Sequence, residues 1–149
     1  MNKITAVVAP VATAAMLLIG FAAPAHAGPY WNKTVKCSAN DQDGRVIPTR
    51  WGNGELGWNH FSGKHNIRRC DFLNAPIGWK VDKVNGANLT YYGNAANPRY
   101  GTLKITVVVR YARKTADGRY DAGKGQVIGV ITAYCNGMTK CPNWVNEPR

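Results

Sequence analysis

All four cysteines of the chain, Cys37, Cys70, Cys135 and Cys141, lie beyond an N-terminal stretch built like an export leader. Lys3 gives that stretch a positive start, Ile4 to Ala23 is almost uncharged and apolar, and Pro24-Ala25-His26-Ala27 ends it in an A-x-A arrangement. Such a run is long enough to span a bilayer, but the proline break and the small residues favour cleavage after Ala27. The expectation is a signal peptide over residues 1–27 and one secreted domain over 28–149, with no stable membrane insertion once the leader is gone. In an oxidising space an even cysteine count implies two disulfides. Three pairings are open; Cys135 and Cys141 could close a short local loop, which would leave Cys37 with Cys70. No cysteine pair has C-x-x-C spacing, so a zinc ribbon is not expected.

Charge narrows the partners. Only Lys3 of the 19 Lys and Arg residues lies in the leader, so the mature part keeps 18 against 8 acids, a net +10 with neutral histidine. Such an excess favours polyanions, whether RNA, phospholipid headgroups or anionic wall polymer, and does not choose among them. A monomer is expected.

The pattern of residues predicts an α+β fold, with short N-terminal helical segments packed on a C-terminal antiparallel β-sheet. Asp41-Gln42-Asp43-Gly44 reads as a tight turn, because the spaced acids and closing Glu of a calcium loop are missing. A short helix is expected from about Glu55 to Ser62, although four glycines between Gly52 and Gly63 oppose it. Further on, Gly78 to Val84 and Leu89 to Tyr92 flank an Asn85-Gly86 hairpin turn. Leu103 to Tyr111 is the clearest strand, with Leu103, Ile105, Val107, Val109 and Tyr111 on one face and Lys104, Thr106, Val108 and Arg110 on the other. Gln126 to Cys135 forms the next strand, on which Thr132 and Tyr134 share a face.

His60 and His65 are the only histidines left after export. On an ideal helix their side chains would point about 140° apart, so they converge only if the chain bends between them, and Gly63 offers a place to bend. A pair of imidazoles suits RNA cleavage by the 2′-hydroxyl: one takes that proton, the other protonates the leaving 5′-oxygen. A cation, Lys104 or Arg110, would offset charge growing on the phosphorane, and the hydroxyls of Thr132 and Tyr134 would hold the phosphate. Trp58 and Lys64 are candidate substrate contacts, and Trp51, Tyr91 and Tyr92 are further candidate platforms for unstacked bases. Neither a metal nor a cofactor is expected. His60 and His65 lack the i, i+4 spacing of a helical zinc site, although Asp71 keeps an HNH-like nuclease open. Ser38 and Ser62 lie in no nucleophile elbow.

Two segments carry a family resemblance. Gly57-Trp58-Asn59-His60-Phe61-Ser62-Gly63-Lys64-His65 resembles the G-W-x-H-[IF]-x-x-[KR]-H segment of bacterial toxin ribonucleases of the barnase/EndoU/colicin-type superfamily. Gly129-Val130-Ile131-Thr132-Ala133-Tyr134-Cys135 resembles their closing strand, often G-x-[IV]-x-T-A-Y-P, with Cys135 in place of proline. The resemblance covers about residues 51–135. It implies a helix-then-sheet fold and metal-free cleavage to a 2′,3′-cyclic phosphate. It places His60, His65, Thr132 and Tyr134 in the site, with Lys104 or Arg110 as the cation. It also implies a role as an antibacterial toxin, with RNA as substrate and a cognate immunity or inhibitor protein as partner. Two other classes fit the same charge and cysteines: a non-enzymatic cationic protein that binds wall or membrane, and a small disulfide-stapled inhibitor.

Overall fold

The computed structural model describes residues 28–148, so the leader lies outside the described residues. The chain begins with a hairpin of β1 (Asn32–Asn40) and β2 (Val46–Gly52), followed by α1 (Trp58–Lys64) and α2 (Cys70–Ile77). Then come β3 (Lys83–Asn85), β4 (Asn88–Asn97), β5 (Gly101–Arg110) and β6 (Gly129–Cys135), which form one antiparallel sheet in the order β3-β4-β5-β6. A 3-10 turn over Asn143–Asn146 closes the described chain. Among the described residues no helix is long and apolar enough to cross a membrane.

The α+β class and the antiparallel sheet are as expected, but the helices are not N-terminal. They sit mid-chain, behind a hairpin that residue pattern does not announce. β1 is mostly polar and exposed, so it lacks the apolar alternation of a half-buried strand. Its register with β2 and a covalent tie hold it instead. That tie is the Cys37–Cys70 disulfide, which joins β1 to the start of α2, while Cys135–Cys141 closes a short loop after β6. α2 also escapes the sequence reading. Its buried Phe72, Leu73, Pro76 and Ile77 fall at helical spacing, but Pro76 within the last turn reads as a breaker.

The core lies between the sheet and the two helices. Leu89, Tyr91, Ala95, Leu103, Ile105, Val107, Val109, Val130, Ala133 and Cys135 face inward, by alternation on β4 and β5. Phe72, Leu73 and Ile77 of α2 and Trp58 and Phe61 of α1 pack on them. Tyr111 leaves the inward row at the end of β5 and is 37% exposed. β6 starts at Gly129 rather than Gln126, because the preceding residues are held elsewhere. The buried Arg50 guanidinium donates to the Val127 carbonyl (2.9 and 3.1 Å) and the Gln126 side chain (3.1 Å), and also to the Lys33 carbonyl (2.6 Å).

Asp41-Gln42-Asp43-Gly44 is the turn of the first hairpin. The Asp41 carboxylate accepts from the N–H groups of Asp43 (3.0 Å) and Arg45 (2.9 Å), the Arg45 guanidinium (2.6 Å) and the buried Tyr91 hydroxyl (2.8 Å). Burial pushes the Asp41 carboxyl up, yet the Arg45 backbone, the Tyr91 hydroxyl and the Arg45 guanidinium together hold it below its ordinary 3.8. Burial first, and then the adjacent carboxylate, push the Tyr91 hydroxyl up. A carboxyl depressed on folding stabilises the native state above its unfolded value, and that contribution fades as pH falls through the depressed value. Asp41→Asn should therefore cost about 2 kcal/mol at neutral pH. In thermal melts, its deficit against the wild type should shrink below about pH 4; a deficit unchanged by acid would show that the carboxylate charge is not what holds the turn.

Candidate active site

α1 lies along the free edge of β6, and one backbone bond fixes the docking: the Gly57 N–H donates to the Ile131 carbonyl at 2.9 Å. Ile131 is the extra residue of a bulge, since Val108 pairs with Thr132 while Val109 pairs with Val130. The bulge changes the phase of the strand. Val130, Ala133 and Cys135 all face the core, and Thr132 and Tyr134 share the opposite face with Val108 and Thr106, their partners on β5.

His60 projects from the half-open side of α1, whose other side buries Trp58 and Phe61. The bend that brings His65 back is not at Gly63, which stays inside the helix. It is at the helix end, where His65 leaves helical geometry (φ −111°, ψ 1°) and Asn66 takes a left-handed φ of 58°. The two rings then lie edge to face with centroids 5.6 Å apart, and the Tyr134 ring lies 6.0 Å from that of His65. Each imidazole is oriented by a backbone carbonyl. His60 Nδ1 is 2.9 Å from the Gly54 oxygen, and His65 Nδ1 is 2.9 Å from the Thr139 oxygen. A carbonyl only accepts, so both Nδ1 atoms donate, which leaves each Nε2 without a hydrogen-bond partner among the described residues.

The carbonyl of Gly54 is itself held by a built loop. The Asn53 side chain accepts from the N–H groups of Glu55 (2.8 Å) and Leu56 (3.2 Å), and donates to the Tyr30 carbonyl and the Tyr120 hydroxyl. These bonds explain why helix α1 starts at Trp58 rather than Glu55: residues 53–56 are spent on a closed loop. Glu55 accepts from Tyr120 and Arg119, and those two donors, the hydroxyl foremost, hold its carboxyl below the usual range.

The other expected residues separate. The Thr132 hydroxyl is shielded from solvent and has no partner among the described residues, whereas Thr106 donates to Asn136 at 2.6 Å. Lys104 is exposed one pleat from Thr106, its ammonium 4.1 Å above the Tyr92 ring. Arg110 lies near the opposite end of that face and is engaged by Asn88 (3.1 Å) and the Lys114 carbonyl (3.0 Å). Lys64 is exposed in the last turn of α1. Trp58 is 7% exposed, packed edge-on against Trp51 and Phe61. Trp51 is half-buried and Tyr91 fully buried, and the Lys36 ammonium lies over the indoles of Trp51 (4.2 Å) and Trp58 (4.5 Å). Trp58 and Tyr91 are thus core residues rather than open platforms; their bulk is used for packing. Trp79 is 67% exposed and with Tyr92 lines a cleft of about 360 Å³ between α2 and the edge of β4, where Lys104 and Lys83 lie over the half-buried Tyr92 ring. Asp71 is ion-paired with Arg69, and among the described residues no three His, Cys, Asp or Glu side chains gather as a metal ion requires. No family model, curated protein or solved structure matches this chain.

Proposed function

We propose that the protein is a secreted, metal-free endoribonuclease that cuts RNA by attack of the 2′-hydroxyl on the adjacent phosphorus. The observation that carries this reading is the convergence of two imidazoles, 5.6 Å apart, each with Nδ1 committed to a carbonyl and Nε2 free. One neutral ring takes the 2′-proton as the 2′-oxygen bonds to phosphorus. The other, as imidazolium, protonates the departing 5′-oxygen, leaving a 2′,3′-cyclic phosphate and a free 5′-hydroxyl. Tyr134, beside His65, offers a hydroxyl to a phosphate oxygen, the shielded Thr132 hydroxyl would have to be uncovered to do the same, and Lys104 supplies a cation with no ion-pair partner among the described residues. Arg110, already engaged, is the weaker candidate for that role. The net positive charge draws the polyanion in. The exposed Trp79 offers a face on which an unstacked base can rest.

The two motifs that resemble the barnase/EndoU/colicin-type toxins support the same chemistry, and the disulfides accord with an exported protein. An antibacterial toxin restrained by an immunity protein is the biological role that this resemblance favours. The test is direct. Purified protein lacking residues 1–27 should cut single-stranded RNA in EDTA, leave 2′,3′-cyclic termini, and spare DNA and fully 2′-O-methylated RNA. The rate should follow a bell-shaped pH profile, since one imidazole must be neutral and the other charged. Cleavage of DNA, or cleavage abolished by EDTA, would sink the mechanism; inert protein with tight salt-dependent RNA binding would leave a cationic binder.

A further inference from the structure

We propose that the Cys135–Cys141 disulfide is a positioning element of the site: it fixes the loop that orients His65, so the protein acts on RNA at its full rate only while this bond is intact. Its substrate would then be RNA met before the bond is reduced, whether outside cells or early after entry into a target cell. The inference rests on the ribonuclease reading for its substrate, and on geometry alone for the tether.

β6 ends at Cys135, and residues 136–140 are exposed throughout, without helix or strand. Both anchors of this segment are fixed, since Cys135 and Cys141 are 1% and 3% exposed within the core. The segment meets His65 twice. The Thr139 carbonyl takes the Nδ1 proton at 2.9 Å, and the Cys141 N–H donates to the His65 carbonyl at 2.9 Å. Asn66, the residue that turns the chain back, donates to the Cys141 carbonyl at 2.9 Å. Apart from these bonds the loop is held by two backbone links, Asn136 to Lys104 (2.8 Å) and Met138 to Cys135 (3.2 Å), and by the Thr106 hydroxyl donating to the Asn136 side chain (2.6 Å), all near its first residues. Thr139 itself has no other backbone partner, so ring closure fixes where its carbonyl points. The other disulfide joins β1 to α2, and neither of its cysteines hydrogen-bonds to an imidazole.

Two thiols of a small-molecule reductant would give the bond two electrons and two protons, leaving two cysteine thiols and departing as their own disulfide. Residues 136–140 would then sample many conformations, and His65 would lose its fixed tautomer. Loss of a group that orients an imidazole lowers activity about 10- to 100-fold, and here the loss should fall on kcat rather than KM.

The experiment compares the wild type with Cys135→Ala/Cys141→Ala and with Cys37→Ala/Cys70→Ala, each assayed below its melting temperature. Nitrogen-15 NMR reads the His65 tautomer, and RNA cleavage reads kcat and KM. The first double variant should lose the Nδ1–H tautomer and the stated factor in kcat; the second should keep both. A further variant retains all cysteines and carries two glycines inserted between Thr139 and Lys140. It slackens the loop without opening the ring, should show the same loss, and serves if the cysteine variant does not fold. Wild-type tautomer and kcat in a folded loop variant would overturn the tether, as would an equal loss in the Cys37→Ala/Cys70→Ala protein. A changed tautomer with no RNA cleavage by any form, wild type included, would uphold the tether while removing the ribonuclease reading.

Discussion

Replacing His60 or His65 by alanine should lower kcat for RNA by about a hundredfold or more, toward the ~10⁴-fold limit of what one positioned proton-transfer group supplies. Stability should change little, because both rings are only half-buried and each makes one bond to a surface loop. The double variant should be far less impaired than the product of the two singles, since a base without its acid has little left to assist. The two roles can be separated chemically. In a nucleoside 3′-(4-nitrophenyl phosphate) the phenolate leaves without needing a proton, so this substrate should restore rate to the variant lacking the acid and not to the one lacking the base. The same pair of proteins should each lose one limb of the bell-shaped pH profile. Should both single variants turn over RNA at the wild-type rate, the imidazoles are bystanders and the cleavage comes from another source.

The side chains of this site are visible in the chain, whereas what orients them is not. His60, His65, Thr132 and Tyr134 are rare or polar residues in patterned segments, so they stand out from their neighbours. The carbonyls of Gly54 and Thr139 carry no such mark, because every residue offers one. Only the fold decides which carbonyl meets an imidazole. Gly63 was the sterically obvious place to bend, yet the bend is made by His65 and Asn66, where the tie from Cys141 and the Asn66 bonds outweigh glycine's freedom. The same logic separates the strands. β5 follows from alternating burial that its own residues announce, while β1 is a strand through its pairing with β2 and the Cys37–Cys70 tie. Trp58 and Tyr91 mislead for a related reason: an aromatic beside basic residues looks like a platform, but only packing tells whether its face is open. The bulge at Ile131 is equally silent, and without it Val130 would share the face of Thr132 and Tyr134.

Gly52→Ala should be severely damaging, because it strikes fold and site together. Gly52 has a φ of +68°, and a Cβ there would overlap the carbonyl oxygen of Leu56 on the facing backbone. Gly57 packs from the other side, its own absent Cβ only 2.7 Å from the Arg50 carbonyl. Neither obstacle is the flexible end of a side chain, so the loop itself must move. Left-handed strain costs about 1–3 kcal/mol and overpacking a similar amount. The sum is of order 3 kcal/mol or more, a fall in melting temperature on the order of 10 °C for a domain this size. Residues 52–57 form the loop whose Gly54 carbonyl orients His60, so molecules that remain folded should also lose kcat, with the low-salt affinity for RNA retained. Gly54→Ala is the matched control: nothing lies within 4 Å of its added methyl, and its carbonyl stays in place. Stability within about 0.5 kcal/mol of the wild type and near-normal cleavage are expected for it. If Gly52→Ala behaves like that control, the close backbone approach does not hold the loop, and the account of how His60 is aimed fails with it.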